Sequence, residues 1–440
     1  MIKISSLILS AILVFSLVPI ASSSGVIIVP RDYESIGEAI EHASPGDTIL
    51  LMKGVYRENL VIDKPIYLVG SGKDDVVIDG GRTGKDTILI KADGVSIENI
   101  TITGGWSKNE GLWDVSGIRI SASDVRIENC VIRDNRLGIN VMTGSRNLTI
   151  RNNEFFGDGV LLGNYIGTWR MERDDFYHNI ENNLVNNKPL VYITDGKDME
   201  ISGEVGSIIL VNCSGITIKD ITFGLADFPL IIAYCKDCRV ENISVVDTDG
   251  EIILFHSRSC TLRNIVTKRN LVGICLDTGC SGNTIEDCRI SNCWMGIEVV
   301  GECTNNYIHN NLIYDNYQGI VVGTYYHGWL PRENILKGNK VWRNFIGISL
   351  LRNATENLVE KNFIGKSFIG VLIKDSNDNM VVRNTMKRNL LHAVFLKCKK
   401  NTWYMNYWGR PRILPKIIPG VGKMGIPWIN LDPRPMRWAV

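Results

Sequence analysis

An excess of charge of either sign is what this sequence most lacks. Its 48 Lys and Arg offset 47 Asp and Glu, a formal net charge of +1. No basic stretch runs long enough to attract nucleic acid, so that partner is not expected. Low-complexity tracts are missing as well, and 45% of the residues are hydrophobic. They are spread evenly, which excludes a disordered chain. Beyond residue 24 no apolar run is long enough to span a bilayer. His42, His178, His256, His309, His327 and His392 are scattered, with no methionine cluster and no paired Cys-x-x-Cys sites. Nothing converges as metal ligands do, so neither a metal site nor a cofactor is expected.

The first residues stand apart. Lys3 is the only charge before Arg31, and Leu7 to Ile20 is apolar except for Ser10, Ser16 and Pro19. Ala21-Ser22-Ser23-Ser24 then offers small residues for cleavage. This is the layout of a secretory signal, placed at residues 1–24. Export follows, to the periplasm or the outside, with attachment to the cell surface as one variant. An uncleaved N-terminal anchor is the alternative.

What is abundant is a repeat. Asn or another small polar residue stands three positions before Gly at Asn135/Gly138, Asn270/Gly273, Cys293/Gly296, Asn316/Gly319, Asn344/Gly347 and Ser367/Gly370. An alternating apolar strand follows each, as in Ile274-Cys275-Leu276, Ile297-Glu298-Val299 and Ile320-Val321-Val322. Gly273, Gly296 and Gly319 are 23 residues apart, and Ile208, Leu230, Ile252 and Ile274 are 22 apart. Two further short strands fit within each repeat, and no helix does. Three strands per coil define an all-β, right-handed, single-stranded parallel β-helix, of about a dozen stacked coils with an N-terminal capping helix. Alternation places Ile139 and Val141 inside and Asn140 towards solvent. Asn153, Asn311 and Asn362 sit at an inward corner. There Asn tolerates left-handed backbone and bonds to its copy one coil away, a structural role.

Both ends of a solenoid need covering. Ser35-Ile36-Gly37-Glu38 opens a short helix as a capping box, with Ile36, Ala39, Ile40 and Ala43 on one face. After Leu396 the period dissolves into Trp403, Tyr404, Tyr407, Trp408 and six prolines from Pro411 to Pro435. Such a tail blocks further strand addition. The domain reading is thus a β-helix over 25–402, with its cap and first coils in 25–80, and a Pro- and aromatic-rich cap over 403–440.

Several segments carry a family likeness. Tyr33, Ile36, Ala39-Ile40, Gly46-Asp47-Thr48-Ile49, Gly54-Val55-Tyr56, Glu58-Asn59, Gly70-Ser71-Gly72 and Val77-Ile78-Asp79-Gly80 resemble the opening of NosD-type and pectin-methylesterase-like β-helices. Ile180 to Asn186, Lys188 to Tyr192 and Ile208 to Cys213 are similar to NosD-type proteins of prokaryotic cell surfaces. The resemblance implies the fold over nearly the whole mature chain. It also implies either a periplasmic accessory role for a copper enzyme or the binding or processing of extracellular sugars.

Chemistry is expected on insertions that leave the coils. Gly104 to Ser116 holds Trp106 and Trp113. Gly163 to Lys188 holds Trp169, Arg170, Glu172, Arg173, Asp174, Asp175 and His178. Thr324 to Lys337 holds Tyr325, Tyr326, His327, Trp329, Arg332 and Glu333. Rings beside carboxylates and Arg suit a sugar chain, because sugar faces stack on rings while hydroxyls need polar partners. Burial of these rings under their own loops is the plainer alternative. The reading is a monomer binding a polysaccharide or cell-surface glycan. A lyase, hydrolase or epimerase is the enzymatic alternative, with Arg173, Asp174, Asp175 and His178, or His327 and Glu333, as acid–base candidates. Cys213 and Cys235, and Cys238 and Cys260, are 22 apart, and Cys280 and Cys303 are 23 apart. Such pairs stack one coil apart, either as disulfides or as an unbonded buried column.

Overall fold

The computed structural model describes residues 24–106, 115–164, 172–248, 250–323, 330–422 and 427–439. Apart from Ser24, the expected leader lies outside them. Short aliphatic strands wind as a parallel β-helix of about 16 turns. Ile208 pairs in parallel with Leu230, and Leu230, Ile252, Ile274, Ile297 and Ile320 pair in succession. The 22- and 23-residue steps are therefore real coil lengths. The turns outnumber the expected dozen because the first coils lack the Asn-x-x-Gly pattern and vary in length. Ile88 to Ile118 spans 30 residues, whereas Ile118 to Ile139 spans 21.

The corner asparagines form continuous ladders. Asn311 Nδ2 donates to Asn339 Oδ1 at 3.0 Å, and Asn339, Asn362, Asn384 and Asn406 continue at 3.0 Å. The left-handed residue is not the ladder asparagine but the one before it. Asn152, Asn310 and Lys361 have φ of 56°, 57° and 54°. The corner thus divides its work between neighbours: one residue turns the backbone and the next fills the interior.

One feature departs from a single uninterrupted winding. Leu184–Val185 pairs antiparallel with Lys188–Thr194 across Asn186 and Asn187. Both asparagines are left-handed, with φ of 50° and 62°. Two consecutive left-handed residues make a type I′ hairpin, for which Asn is suited. The chain reverses there and starts a second stack of coils. Ile209, Val211, Ile231, Ala233, Ile253 and Phe255, on the outer face of the second stack, join the apolar core of the first. Phe176 lies 5.8 Å from the Tyr234 ring and 5.5 Å from Phe255. The flank of the second stack thereby closes the open end of the first. Asn140, expected in solvent, is fully buried although it lies on an outer face.

Both outer ends are covered. The helix Ile36–His42 is capped by Ser35 Oγ, which accepts from Glu38 N at 3.1 Å. Glu58 accepts from the amides of Ile36 and Gly37, both at 2.9 Å. Lys64 Nζ donates to the carbonyls of Ile40, Glu41 and Ala43 at the other end. The next coil thus serves both poles of the helix dipole. At the far end Trp403, Trp408 and Ile418 lie over the core. The prolines do not abolish pairing there. Lys416–Val421 adds to Leu391–Leu396 and folds back on Pro427–Asp432 as an antiparallel hairpin. Buried Asp432 accepts from Asn406 N and Trp408 Nε1, which fixes this cap.

Candidate functional site

On the sheet containing Ile252–Phe255, Val272–Asp277 and Met295–Val299, alternation turns Ile252, Ile274 and Ile297 inward. Ile253, Cys275 and Glu298 are paired in register on the outer face. In earlier coils that outer row is aliphatic and packs on the first stack. At Cys275 it turns polar. Glu251, Cys275 and Glu298 bring one oxygen, the thiol sulfur and one oxygen to within 4.8 Å of one another. Cys275 Sγ is 3.9 Å from Glu298 Oε2, and Cys275 is only 2% exposed. Glu251 Oε2 is inaccessible to solvent and has no hydrogen-bond partner.

The electrostatics follow from burial. Desolvation first, then the charge of Asp277, pushes the Glu298 carboxyl up to about 8. Burial, with Glu298 and Asp277 nearby, holds Glu251 well above the usual carboxylate range. Burial likewise raises the Cys275 thiol. Asp277 accepts from Thr278 N at 2.6 Å and Thr278 Oγ1 at 2.7 Å. Acidic groups out of water need protons or a cation. No metal site was expected from the sequence, yet three donors meet here. Outer-row residues one coil apart, Cys275 and Glu298, were the available signal.

Most of the expected ligand-binding residues, Trp113, Trp169, Tyr325, Tyr326, His327 and Trp329, lie outside the described residues. Glu333 is exposed at a left-handed turn with φ 57°. Asp175 and His178 are built into the joint between the stacks. Asp175 accepts from Gly144 N at 2.8 Å and Glu172 N at 2.7 Å, and pairs with Arg146. His178 Nε2 meets the Asp175 carbonyl at 3.1 Å, and burial pushes its pKa down to about 4. Asp174 and Arg173 are exposed, and the Arg173 guanidinium lies 5.9 Å from the centre of the Tyr177 ring. All eleven cysteines, including Cys213, Cys235, Cys238, Cys260, Cys280 and Cys303, are buried free thiols. Cys213 N donates to Cys235 Sγ at 3.3 Å, one coil on.

A second feature runs along the outside of the second stack. Trp294, Tyr317, Phe345 and Phe368 stack at centroid separations of 4.1, 5.0 and 4.9 Å, with interplanar angles of 14°, 8° and 6°. Each is 38–50% exposed, and Leu390 continues the row at 69%. The rings face one another along the axis, so their edges point to solvent. Two positions upstream of Phe345, Phe368 and Leu390, exposed Arg343, Lys366 and Arg388 form a parallel cationic row, in which Arg343 pairs with Asp315 of the coil before and Lys366 lies over the Trp342 ring. Each ring stands two positions before a repeat glycine, Gly296, Gly319, Gly347 and Gly370, a signal already present in the sequence.

A family model described as periplasmic copper-binding protein (NosD) matches residues 40–223, 162–330 and 214–413. The chain belongs to the NosD family. No curated protein matches it. Among solved structures, the A-module of mannuronan C-5 epimerase AlgE6 from Azotobacter vinelandii is 16% identical, covering 83% of this chain and 94% of its own, with a TM-score of 0.36. DFA-IIIase from Arthrobacter chlorophenolicus A6 is 10% identical, covering 88% and 95%, with a TM-score of 0.38. The periplasmic alginate epimerase AlgG is 14% identical, covering 85% and 71%, with a TM-score of 0.30. Likeness at this level concerns fold alone. Among the described residues of this NosD-family chain, no helix is long and apolar enough to cross a membrane. Copper(I) prefers sulfur and imidazole donors. The converging set offers one sulfur and two carboxylates, and no second group of three His, Cys, Asp or Glu donors converges among the described residues. That set does not fit copper(I).

Proposed function

We propose that this NosD-family β-helix works outside the cytoplasm as a scaffold that binds an extended acidic glycan along its second stack. The observation that carries the reading is the row of exposed rings from Trp294 to Phe368 beside Arg343, Lys366 and Arg388. Ring edges carry partial positive charge and receive hydroxyl oxygens, while the cations receive carboxylates. The coil spacing of about 4.8 Å repeats both rows at close intervals, as a polymer of small units requires. Charge in the tail points the same way. Residues 397–440 contain nine Lys or Arg and one Asp, and that Asp is buried. The remaining 396 residues therefore carry the compensating negative charge. Export is supported by the signal-like leader and by the periplasmic description of the family.

Affinity electrophoresis in gels containing a polyuronate, against a neutral glucan, tests the reading. The chain should be retarded by the polyuronate alone. Exchanging Arg343, Lys366 and Arg388 for Glu should weaken binding at least tenfold, and Tyr317→Ser with Phe345→Ser should weaken it several-fold. Mobility unchanged by polyuronate, or retardation untouched by both variants, would remove the proposal.

A further inference from the structure

Glu251, Cys275 and Glu298 have no role in that ridge. Cys275 is buried, both glutamates are half-buried and Glu251 Oε2 is wholly out of water, and crowding two carboxylates against a buried thiol is unfavourable unless something compensates. Among the described residues neither glutamate forms an ion pair, and Glu251 Oε2 has no hydrogen-bond partner while shielded from water. A proton on each group would remove the charge but leave that oxygen unsatisfied. A cation would satisfy all three donors together.

We propose that Glu251, Cys275 and Glu298 bind one divalent cation of the zinc class, through the thiolate sulfur and one oxygen of each carboxylate. Softness selects the ion. Magnesium and calcium disfavour a thiolate, copper(I) disfavours carboxylates, and zinc accepts Cys together with Glu. Size agrees. Zinc bonds of about 2.0–2.3 Å in a tetrahedron need donors about 3.3–3.8 Å apart. Cys275 Sγ and Glu298 Oε2 already stand 3.9 Å apart, and no pair of the three donors exceeds 4.8 Å. Small χ changes in the two glutamates close the remainder. Three protein ligands leave a fourth position, which in zinc sites is taken by water or by a ligand atom. Cys275 and Glu298 are held by adjacent paired strands, so the site is preorganised on sheet rather than on loop.

The test uses the full mature chain, stripped with chelator and kept reduced. Titration with Co²⁺ should produce thiolate-to-cobalt charge-transfer absorption at one equivalent, and Zn²⁺ should abolish it. Zinc at a hundredfold excess over its dissociation constant should raise the melting temperature by a few degrees. Cys275→Ser should remove the absorption, and Glu298→Gln should weaken zinc binding at least tenfold. Glu298→Gln takes away a half-buried charge that has no ion-pair partner among the described residues and should fold at least as well as the parent, so a lost response there is not a folding failure. No metal uptake by the parent chain, or uptake unchanged in both variants, overturns the proposal. The second result would assign binding to other thiols of the core.

Discussion

Asp227 Oδ2 accepts the backbone amide of Gly138 at 2.6 Å, although 89 residues separate them. The same oxygen accepts from Gly159 N at 2.9 Å, and Asp227 is 2% exposed. Gly138 and Gly159 belong to the first stack and Asp227 to the second. One carboxylate therefore pins the two together. Asp227→Ala should leave both amides buried without an acceptor and cost about 2–5 kcal/mol. Urea denaturation would measure it. A loss under about 0.5 kcal/mol would mean that the apolar contacts alone hold the joint.

Asp158 lies beside this pin. Burial first, then the charge of Asp227, holds its carboxyl well above the ordinary range, against hydrogen bonds from Asn135. In the unfolded chain Asp158 ionises near pH 3.9. A group with a raised folded-state pKa contributes its full stability below the unfolded pKa and loses it as pH rises through the folded pKa. The parent should therefore weaken relative to Asp158→Asn as pH rises from about 4 towards 7. Melting temperatures taken at unit pH intervals would show the two curves diverging. Parallel curves would place the ionised form in the fold.

How much of this was legible in the residues depends on what repeats. The coil length, the inward rungs and the Asn ladders follow a fixed step, so Ile274, Ile297 and Asn311 could be placed without coordinates. The reversal at Asn186-Asn187 was not, because the same dipeptide suits an ordinary corner; only its antiparallel partner reveals the hairpin. Asp175 and His178 looked like chemistry on a loop. Their roles come from Gly144, Arg146 and Tyr192, which no local pattern connects to them. Glu251 and Cys275 meet across coils and two positions out of register, so neither neighbours nor period announced the pair.

His178 gives the joint a pH dependence of the opposite sign. Burial pushes its pKa down to about 4, the positive charge of Arg146 adds to this, and the Asp175 carbonyl opposes it. Its amide donates to Tyr192 Oη at 2.9 Å, and Tyr192 Oη donates to the Phe176 carbonyl at 2.7 Å. A depressed folded-state pKa means stability present above the unfolded pKa of about 6.5 and lost as pH falls towards about 4. The shift corresponds to about 3 kcal/mol. His178→Gln should hold its melting temperature better than the parent between pH 6.5 and 4. Identical acid profiles would show that this ring takes up its proton without disturbing the joint.

The ladders make the sharpest stability forecast. Asn339 accepts from Asn311 N and Nδ2, both at 3.0 Å, and donates to Ile308 O at 2.8 Å and Asn362 Oδ1 at 3.0 Å. Asn339→Ala therefore strands the Asn311 backbone amide in a dry interior and takes one partner each from Ile308 O, Asn311 Nδ2 and Asn362 Oδ1. At about 1–3 kcal/mol for the stranded amide, with three weakened partners and a small cavity besides, the loss should exceed about 2 kcal/mol. Asn384→Cys should cost less. Cys288 already fills the equivalent corner, its amide donating to Asn311 Oδ1 at 2.9 Å and its thiol to Leu262 O at 3.7 Å. The difference between the two variants, read from chemical denaturation, separates hydrogen bonding from mere volume. Equal losses would mean that the corner needs bonding and that filling it alone is of no use.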